Sequence, residues 1–313
     1  METYLITGGA GFIGSNLTNY LVKEHKVVVI DDLSMGQQEN LKPSANLTFI
    51  KGDVTDRKLM KEIITTNEFD YIFHLAAIAS VADSVERPVE THQVNFESVL
   101  MLLELAKEHQ KNMKRLVFSS SAAVYGDEPT LPKTEESVIR PLTPYAIDKF
   151  AAERFVLTYS KLYNVPTSAV RFFNVFGPNQ NPKSPYSGVI SILVDQFKRR
   201  LRDEETLFSV YGDGKQSRDF IYVDDVVQAL LLVSKSMISL GEVYNVGTGN
   251  ETDLNELIMM ISEILEVELL VSYEKARVGD IPKSLADITK LKSINFKSNY
   301  SVKEGLENYL KNI

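Results

Sequence analysis

The sequence predicts an α/β fold, a doubly wound parallel sheet with a smaller, partly interleaved C-terminal lobe. Three observations lead there. Short apolar runs bounded by turn residues alternate with longer helical patterns as far as Phe172, four glycines in seven residues follow the first of these runs, and the rhythm changes after Gly177. Alternation of this kind describes parallel strands with helices on both faces of the sheet.

The strand runs are Tyr4 to Thr7, Val27 to Ile30, Leu47 to Ile50, Tyr71 to His74, Arg115 to Ser119 and Ser168 to Phe172. A helix is expected to start near Ser15. Apolar positions at Val94, Val99, Leu102, Leu103 and Ala106 predict a second over 92–111, and Thr143 and Pro144 supply an N-cap and first-turn proline for a third that runs through Tyr163. The proline-rich stretch Pro178 to Pro185 reads as a loop, followed by an amphipathic helix near 189–203. Residues Phe220 to Val246 hold a helix and a strand able to rejoin the first sheet, so the lobes interleave: 1–174 with about 219–246 forms one unit, about 175–218 with 247–313 the other. No internal repeat or low-complexity tract interrupts this order.

The 313 residues, 44% hydrophobic, suffice for a large core. The absence of Cys rules out disulfides and thiolate chemistry and suits a reducing compartment. His25, His74, His92 and His109 lack ligand spacing, so no metal is expected. A net charge of −8 argues against a nucleic-acid partner, though local arginines leave room for an anionic small ligand. The chain enters a strand pattern at once, and its longest aliphatic stretch, Ala229 to Val233, is far too short to span a bilayer, so no membrane is expected and the protein reads as cytoplasmic.

Gly8-Gly9-Ala10-Gly11-Phe12-Ile13-Gly14 lies between strand and helix, where backbone close approach demands glycine and a helix N-terminus meets a pyrophosphate. Asp31 ends the second strand, placed to bond ribose hydroxyls and repel a 2′-phosphate, with Asp32 beside it; this favours NAD over NADP. Asp53, Ala76 and Ala77 sit at further strand ends, where such sheets bind ligands. Tyr145 and Lys149, four apart on a helix, place an ammonium beside a phenol. A neighbouring cation lowers a phenol's pKa from its ordinary ~10, as a base at neutral pH requires.

TGGAGFIG, Asp31, HLAA at 74–77, SSSAAVYG at 119–126, YAIDK at 145–149 and RFFNVFGP at 171–178 resemble the extended short-chain dehydrogenase/reductase family over nearly the whole length, its nucleotide-sugar 4-epimerases most closely. The resemblance implies a Rossmann-like fold and a catalytic set in which Ser121 bonds the sugar 4-hydroxyl, Tyr145 is the base and Lys149 bonds the nicotinamide ribose. It also implies NAD contacts from Gly8, Gly11, Phe12, Ile13, Gly14, Asp31, Asp32, Asp53, Val54, Leu75, Ala76, Ala77, Asn95, Ser119, Tyr145, Lys149 and Phe172. For a UDP-sugar it implies Ser121 and Tyr145 at the sugar, Asn174, Arg218 and Arg277 at the diphosphate, Asp280 at the nucleoside ribose and Ser284 beside the sugar, and it implies a homodimer through the two long helices. Planar guanidinium groups suit a diphosphate on an otherwise acidic protein.

Related dehydratases resemble one another in an acidic pair where this chain has Ala122 and Ala123, and related decarboxylases carry a glutamate in that run. Without those carboxyls elimination is disfavoured and reversible oxidation at C4 remains. UDP-glucose 4-epimerases can carry a tyrosine at the position of Ser284, where relatives acting on N-acetylated sugars have a small residue. This implies UDP-GlcNAc and UDP-GalNAc as the pair, with possible activity on UDP-glucose and UDP-galactose. A dehydratase or 4-keto-sugar reductase of the same family stays open, as does a non-catalytic nicotinamide sensor, which intact Ser121, Tyr145 and Lys149 disfavour.

Overall fold

The computed structural model describes residues 1–181, 188–276 and 281–311. Seven parallel strands form the central sheet: β1 (Thr3–Thr7), β2 (Lys26–Asp31), β3 (Leu47–Lys51), β4 (Tyr71–His74), β5 (Arg115–Ser121), β6 (Thr167–Phe172) and β7 (Val243–Val246), in the order β7-β6-β5-β4-β1-β2-β3. Strands covered on both faces need apolar runs, and β4 and β7 are buried at every position. The β7 strand rejoins the sheet beside β6, as expected from the run ending at Val246. Strand order reverses between β1 and β4, and ligands of open α/β sheets bind at such a crevice.

The main helices are α1 (Phe12–Leu21), α2 (Arg57–Thr66), α3 (Ser98–His109), α4 (Pro144–Tyr163), α5 (Val189–Arg200), α6 (Val223–Lys235), α7 (Leu254–Leu265) and α8 (Val302–Leu310). On one face of the sheet Leu17 of α1 and Leu230 of α6 share a core with Ile6 and Val29; on the other Ile63, Leu102 and Val156 pack with Leu5 and Phe118. Helix α4 begins as its sequence dictates: the Thr143 hydroxyl accepts from the Ala146 N–H at 3.2 Å, Pro144 follows, and Asn164 closes the helix in the left-handed region at φ 57°.

Two expectations change. Helix α1 starts at Phe12 instead of near Ser15, so Gly14 falls inside its first turn. The helix expected over 92–111 belongs to a longer run from Pro88 to His109 containing a π-turn at Gln93–Glu97. The wider turn leaves the Asn95 side chain fully buried, where its oxygen accepts from the Ile78 N–H at 2.9 Å and its amide donates to the Ile78 carbonyl at 3.0 Å.

The lobe has its own core, including Phe176, Leu193, Phe197, Leu257 and Leu306. Short strands assemble it: Asn174–Phe176 with Phe220–Tyr222, Phe208–Tyr211 with Val271–Glu274, and Ser217–Arg218 between Thr252–Asp253 and Lys283–Ser284. Among the described residues no helix is long and apolar enough to cross a membrane.

Candidate active site

A cavity of about 720 Å³ runs along the C-terminal ends of the strands, from Asp31 and Asp53 past the glycine turn to Ser121, Tyr145 and Lys149. Its size suits an extended small ligand. Backbone builds the middle of the cavity. Gly8 has φ +68°, and a Cβ there would meet the Ala76 backbone at 2.8 Å; a Cβ on Gly14 would lie 2.1 Å from the Gly8 carbonyl oxygen. Side chains would therefore force the β1–α1 turn apart. Gly11 caps α1 without a side-chain hydrogen bond, so the first N–H groups of that helix face the crevice with its positive dipole end.

The Thr7 hydroxyl at the end of β1 accepts from the Leu75 and Ala76 N–H groups, each at 3.2 Å, and shares a hydrogen bond with His74 Nδ1 at 2.9 Å. That fixes the wall carrying Leu75, Ala76 and Ala77. Burial, with the Lys149 charge nearby, pushes the His74 pKa down to about 3, so the imidazole stays neutral.

At one end Asp31 is nearly buried. Its carboxylate accepts from Ala10 N–H and Leu33 N–H, both at 2.9 Å, leaving acceptor sites for a ligand hydroxyl. Burial raises its pKa, against the pull of those backbone donors. Asp32 also lines the cavity but turns one oxygen onto the Ser34 N–H and hydroxyl. Asp53, Val54 and Phe172 are in the lining as well. Asn95 is not; it stands behind the wall and braces Ile78.

At the other end α4 lies against β5. The Lys149 Nζ donates to the Ser119 carbonyl at 2.9 Å and sits 4.9 Å from the Phe118 ring centre, while the Ser119 hydroxyl donates to the His74 carbonyl at 3.1 Å. The Ser121 hydroxyl accepts from Ala123 N–H at 3.1 Å and hydrogen-bonds Tyr145. The electrostatics differ from those expected of a lysine–tyrosine pair. Burial pushes the Lys149 pKa down to about 7, with Asp148 opposing, and burial raises that of Tyr145 while Ser121 lowers it. A lysine so desolvated loses its charge before the phenol titrates, so the fold alone holds Tyr145 protonated at neutral pH.

Of the residues read as substrate ligands, Asn174, Arg218 and Ser284 lie in the lobe, outside the lining of this cavity. Ser284 and Arg218 are register partners on adjacent strands. Asn174 donates from its backbone N–H and its amide to the Asp219 carbonyl at 3.0 and 3.3 Å, and Arg218 Nη1 donates to the Ser217 carbonyl at 2.9 Å. Arg277 and Asp280 lie outside the described residues.

Sequence reasoning missed several wall residues. Ser34, Met35 and Gly36 extend the wall beyond Asp32; a Cβ at Gly36 would meet the Ala10 backbone at 2.8 Å, and a glycine shortly after an acidic strand end was the available signal. Asp83, Arg87 and Glu90, linked by ion pairs of 3.1 and 2.8 Å, come from short helices that carry no motif. Gln180, also in the lining, has a buried side-chain oxygen with no partner among the described residues. Among those residues no cluster of three or more His, Asp or Glu side chains is arranged to hold a metal. A glycine cradle, an open helix terminus, spare acceptor sites on Asp31 and this orphan oxygen together fit a dinucleotide.

Comparison with known proteins agrees. The model of the NAD dependent epimerase/dehydratase family matches residues 4–247. A putative UDP-glucose 4-epimerase of Methanocaldococcus jannaschii is 35% identical over 313 residues, covering 98% of each chain. The structure of a UDP-N-acetylglucosamine 4-epimerase from Methanobrevibacter ruminantium M1 with UDP-N-acetylmuramic acid superposes with a TM-score of 0.91 at 39% identity, covering 99% of this chain and 97% of that one. The Thermotoga maritima UDP-glucose 4-epimerase with UDP-glucose gives a TM-score of 0.91 at 36% identity, with the same coverage.

Proposed function

The chain belongs to the NAD dependent epimerase/dehydratase family, and from that membership we propose that it catalyses 4-epimerisation of a UDP-hexose through a transient 4-keto sugar. The acetylated pair UDP-GlcNAc and UDP-GalNAc is the main substrate, with UDP-glucose and UDP-galactose accepted as well. The observation that carries this reading is the grouping of Ser121, Tyr145 and Lys149 at one end of the cavity with alanines at 122 and 123. Elimination needs an acid beside the departing hydroxyl. The nearby carboxylate of Glu153 is buried in an ion pair with Arg171 at 2.6 Å and does not supply one.

The glycine turn from Gly8 to Gly14 and Asp31 would hold NAD, which would supply reversible hydride transfer. Because the fold alone keeps Tyr145 protonated, its phenol has to ionise in the loaded enzyme; the phenolate then takes the O4 proton and gives it back, Ser121 orients O4, and Lys149 would hold the cofactor ribose. Arg218, Arg277 and Asn174 anchor the diphosphate while the ketone turns its other face, so that the intermediate rotates without escaping. Residues 1–174 with about 219–246 hold the cofactor, and the remainder holds the nucleotide sugar. Similarity to a structure named as a UDP-N-acetylglucosamine 4-epimerase supports the acetylated pair, and similarity to one bound to UDP-glucose supports the second.

Purified protein incubated with UDP-GlcNAc and no added cofactor is expected to yield UDP-GalNAc; a dehydrated sugar, or no product until reduced cofactor is supplied, overturns the reading. Ser284→Tyr is expected to lower turnover of the acetylated sugars about tenfold or more while sparing UDP-glucose. An unchanged preference removes the gate role of Ser284.

The same reading includes a homodimer. Ile147, Phe155 and Leu162 on α4 are exposed, as are Val85 and Val89 on the short helices packed beside it, an apolar face that a second copy would cover. Sedimentation is expected to show a dimer that Phe155→Glu converts to monomer. A wild-type monomer at micromolar concentration contradicts it.

A further inference from the structure

Three serines and three turns of helix meet at the catalytic end, and only two of the three junctions belong to the chemistry described above. Tyr145, Lys149 and Glu153 follow one another at four-residue spacing and share a face of α4. Tyr145 bonds the Ser121 hydroxyl, and Lys149 Nζ bonds the Ser119 carbonyl at 2.9 Å. The third junction joins the Ser120 hydroxyl to Glu153 Oε2 at 2.7 Å. Glu153 is fully buried.

A carboxylate in that position needs compensation, and Arg171 supplies it from the neighbouring strand. Its Nε donates to Glu153 Oε2 at 2.9 Å and its Nη2 to Oε1 at 2.6 Å, a planar two-point contact. Arg171 and Ser120 are register partners on β6 and β5, so one carboxylate is bound to both strands at the same level. The guanidinium is fixed in turn: its Nη1 donates to the Tyr125 hydroxyl at 2.8 Å and to the Glu135 carbonyl at 3.1 Å, and the Tyr125 hydroxyl donates to Asn245 Oδ1 at 2.6 Å on β7. Glu153 is thereby linked by hydrogen bonds to three strands of the sheet. A buried ion pair gives little net stability over apolar packing, whereas fixing one arrangement among several is its better-attested use.

We propose that Glu153, clamped by Arg171 and Ser120, is a positioning residue that sets the height of α4 on β5 and thereby aligns Tyr145 with Ser121. A slip of the helix by a fraction of its 1.5 Å rise per residue would leave Lys149, with its long stem, still within reach of Ser119. Tyr145, whose rigid ring meets Ser121 without a flexible stem, has no such slack. Misplacement of reacting groups by about 1 Å costs on the order of a hundredfold in rate, and loss of the Ser121 bond removes the contact that opposes burial in holding down the Tyr145 proton affinity.

The inference rests on Tyr145 as the base, and the test separates the two. Removing Glu153 or Arg171 strands a buried charge and risks the fold, so the decisive variant is Ser120→Ala, which deletes one hydroxyl and leaves the ion pair. It is expected to lower kcat about tenfold with KM and bound NAD unchanged and Tm within about 3 °C of wild type, and to move the acid limb of the kcat–pH profile to higher pH. Ser120→Thr, which keeps the hydroxyl, restores both. Wild-type kcat and pH limb in Ser120→Ala overturn the clamp, as does a rate loss that follows lost NAD or lost stability. Tyr145→Phe in the same assay serves as the reference. If it is active, the assignment of the base fails; if it is inactive while Ser120→Ala is unaffected, only the clamp fails.

Discussion

The two halves of the site are built in different ways. The cofactor half is made of backbone: a glycine turn, a helix terminus and strand ends whose positions follow from the parallel sheet itself. The half proposed for the nucleotide sugar is gathered around one residue. Asp219, fully buried, accepts from Thr248 N–H at 2.7 Å and its hydroxyl at 2.8 Å on one oxygen, and from Gly249 N–H at 2.9 Å and Ala286 N–H at 3.2 Å on the other. Its own N–H donates to the Ser284 carbonyl at 2.8 Å and its carbonyl accepts from Asn174 N–H at 3.0 Å. Four chain segments, around Asn174, Arg218, Thr248 and Ser284, are thus gathered by a single residue. A fold can present a cofactor by topology, but it needs a hub to bring distant segments to a substrate.

The largest effect is expected from breaking the backbone half. Gly14→Ala puts a methyl 2.1 Å from the Gly8 carbonyl oxygen, with the Gly9 Cα at 2.8 Å, and no flexible side chain is there to yield. The variant is expected to carry no nucleotide, measured by chromatography of the acid-released cofactor, and to lose at least about a thousandfold in activity, since the hydride acceptor goes with it. Full cofactor content in Gly14→Ala would show that the turn is looser than its geometry states.

The difference between the halves also explains what the sequence revealed. The cofactor half was legible because its determinants are local: glycines between Thr7 and Phe12, an aspartate ending β2, a proline-started helix carrying Tyr145 and Lys149. Six strands of the central sheet were readable from their apolar runs and the seventh as a strand within Phe220 to Val246, while the short strands of the lobe were not. The hub was not, because Asp219 follows Arg218 in a stretch where nothing nearby signals contact with Thr248 or Ala286. Asn95 was placed on the cofactor by the family resemblance, while the π-turn sets it outside the cavity lining, bonded to Ile78. Lys149 was given a charge-stabilising role beside Tyr145, since spacing shows shared faces but not burial; the structure instead points its ammonium to Ser119.

An intermediate effect is expected at the hub. Asp219→Asn keeps the shape but replaces one acceptor oxygen with a donor, which then faces N–H groups and leaves buried donors unpaired. The loss should be about 2–4 kcal/mol of stability. Activity at subsaturating UDP-sugar is expected to fall on the order of a hundredfold while the folded protein still carries NAD, because Asp219 touches no part of the glycine turn. Loss of NAD in step with loss of substrate affinity would mean that the halves are not independent and would remove the contrast drawn here.

An effect confined to stability sharpens the contrast, because one element of the cofactor half is a side chain held at a cost. The Lys149 amine is buried, with its pKa pushed down to about 7 by desolvation, while in the unfolded chain it titrates near its ordinary ~10.4. Below pH 7 both states carry the proton and the folded protein bears the full cost of a buried charge. Between about pH 7 and 10 the unfolded state binds more protons than the folded one, so this group's contribution makes stability rise with pH, by up to about 1.4 kcal/mol per pH unit. Lys149→Met has no such titration. In urea unfolding of cofactor-free protein the variant is therefore expected to be more stable than wild type at pH 6, with the gap narrowing steadily from pH 7 to 9. A constant gap across that range would mean that the lysine is solvated in the folded protein, and that the cofactor half stores no electrostatic strain for its ligand to relieve.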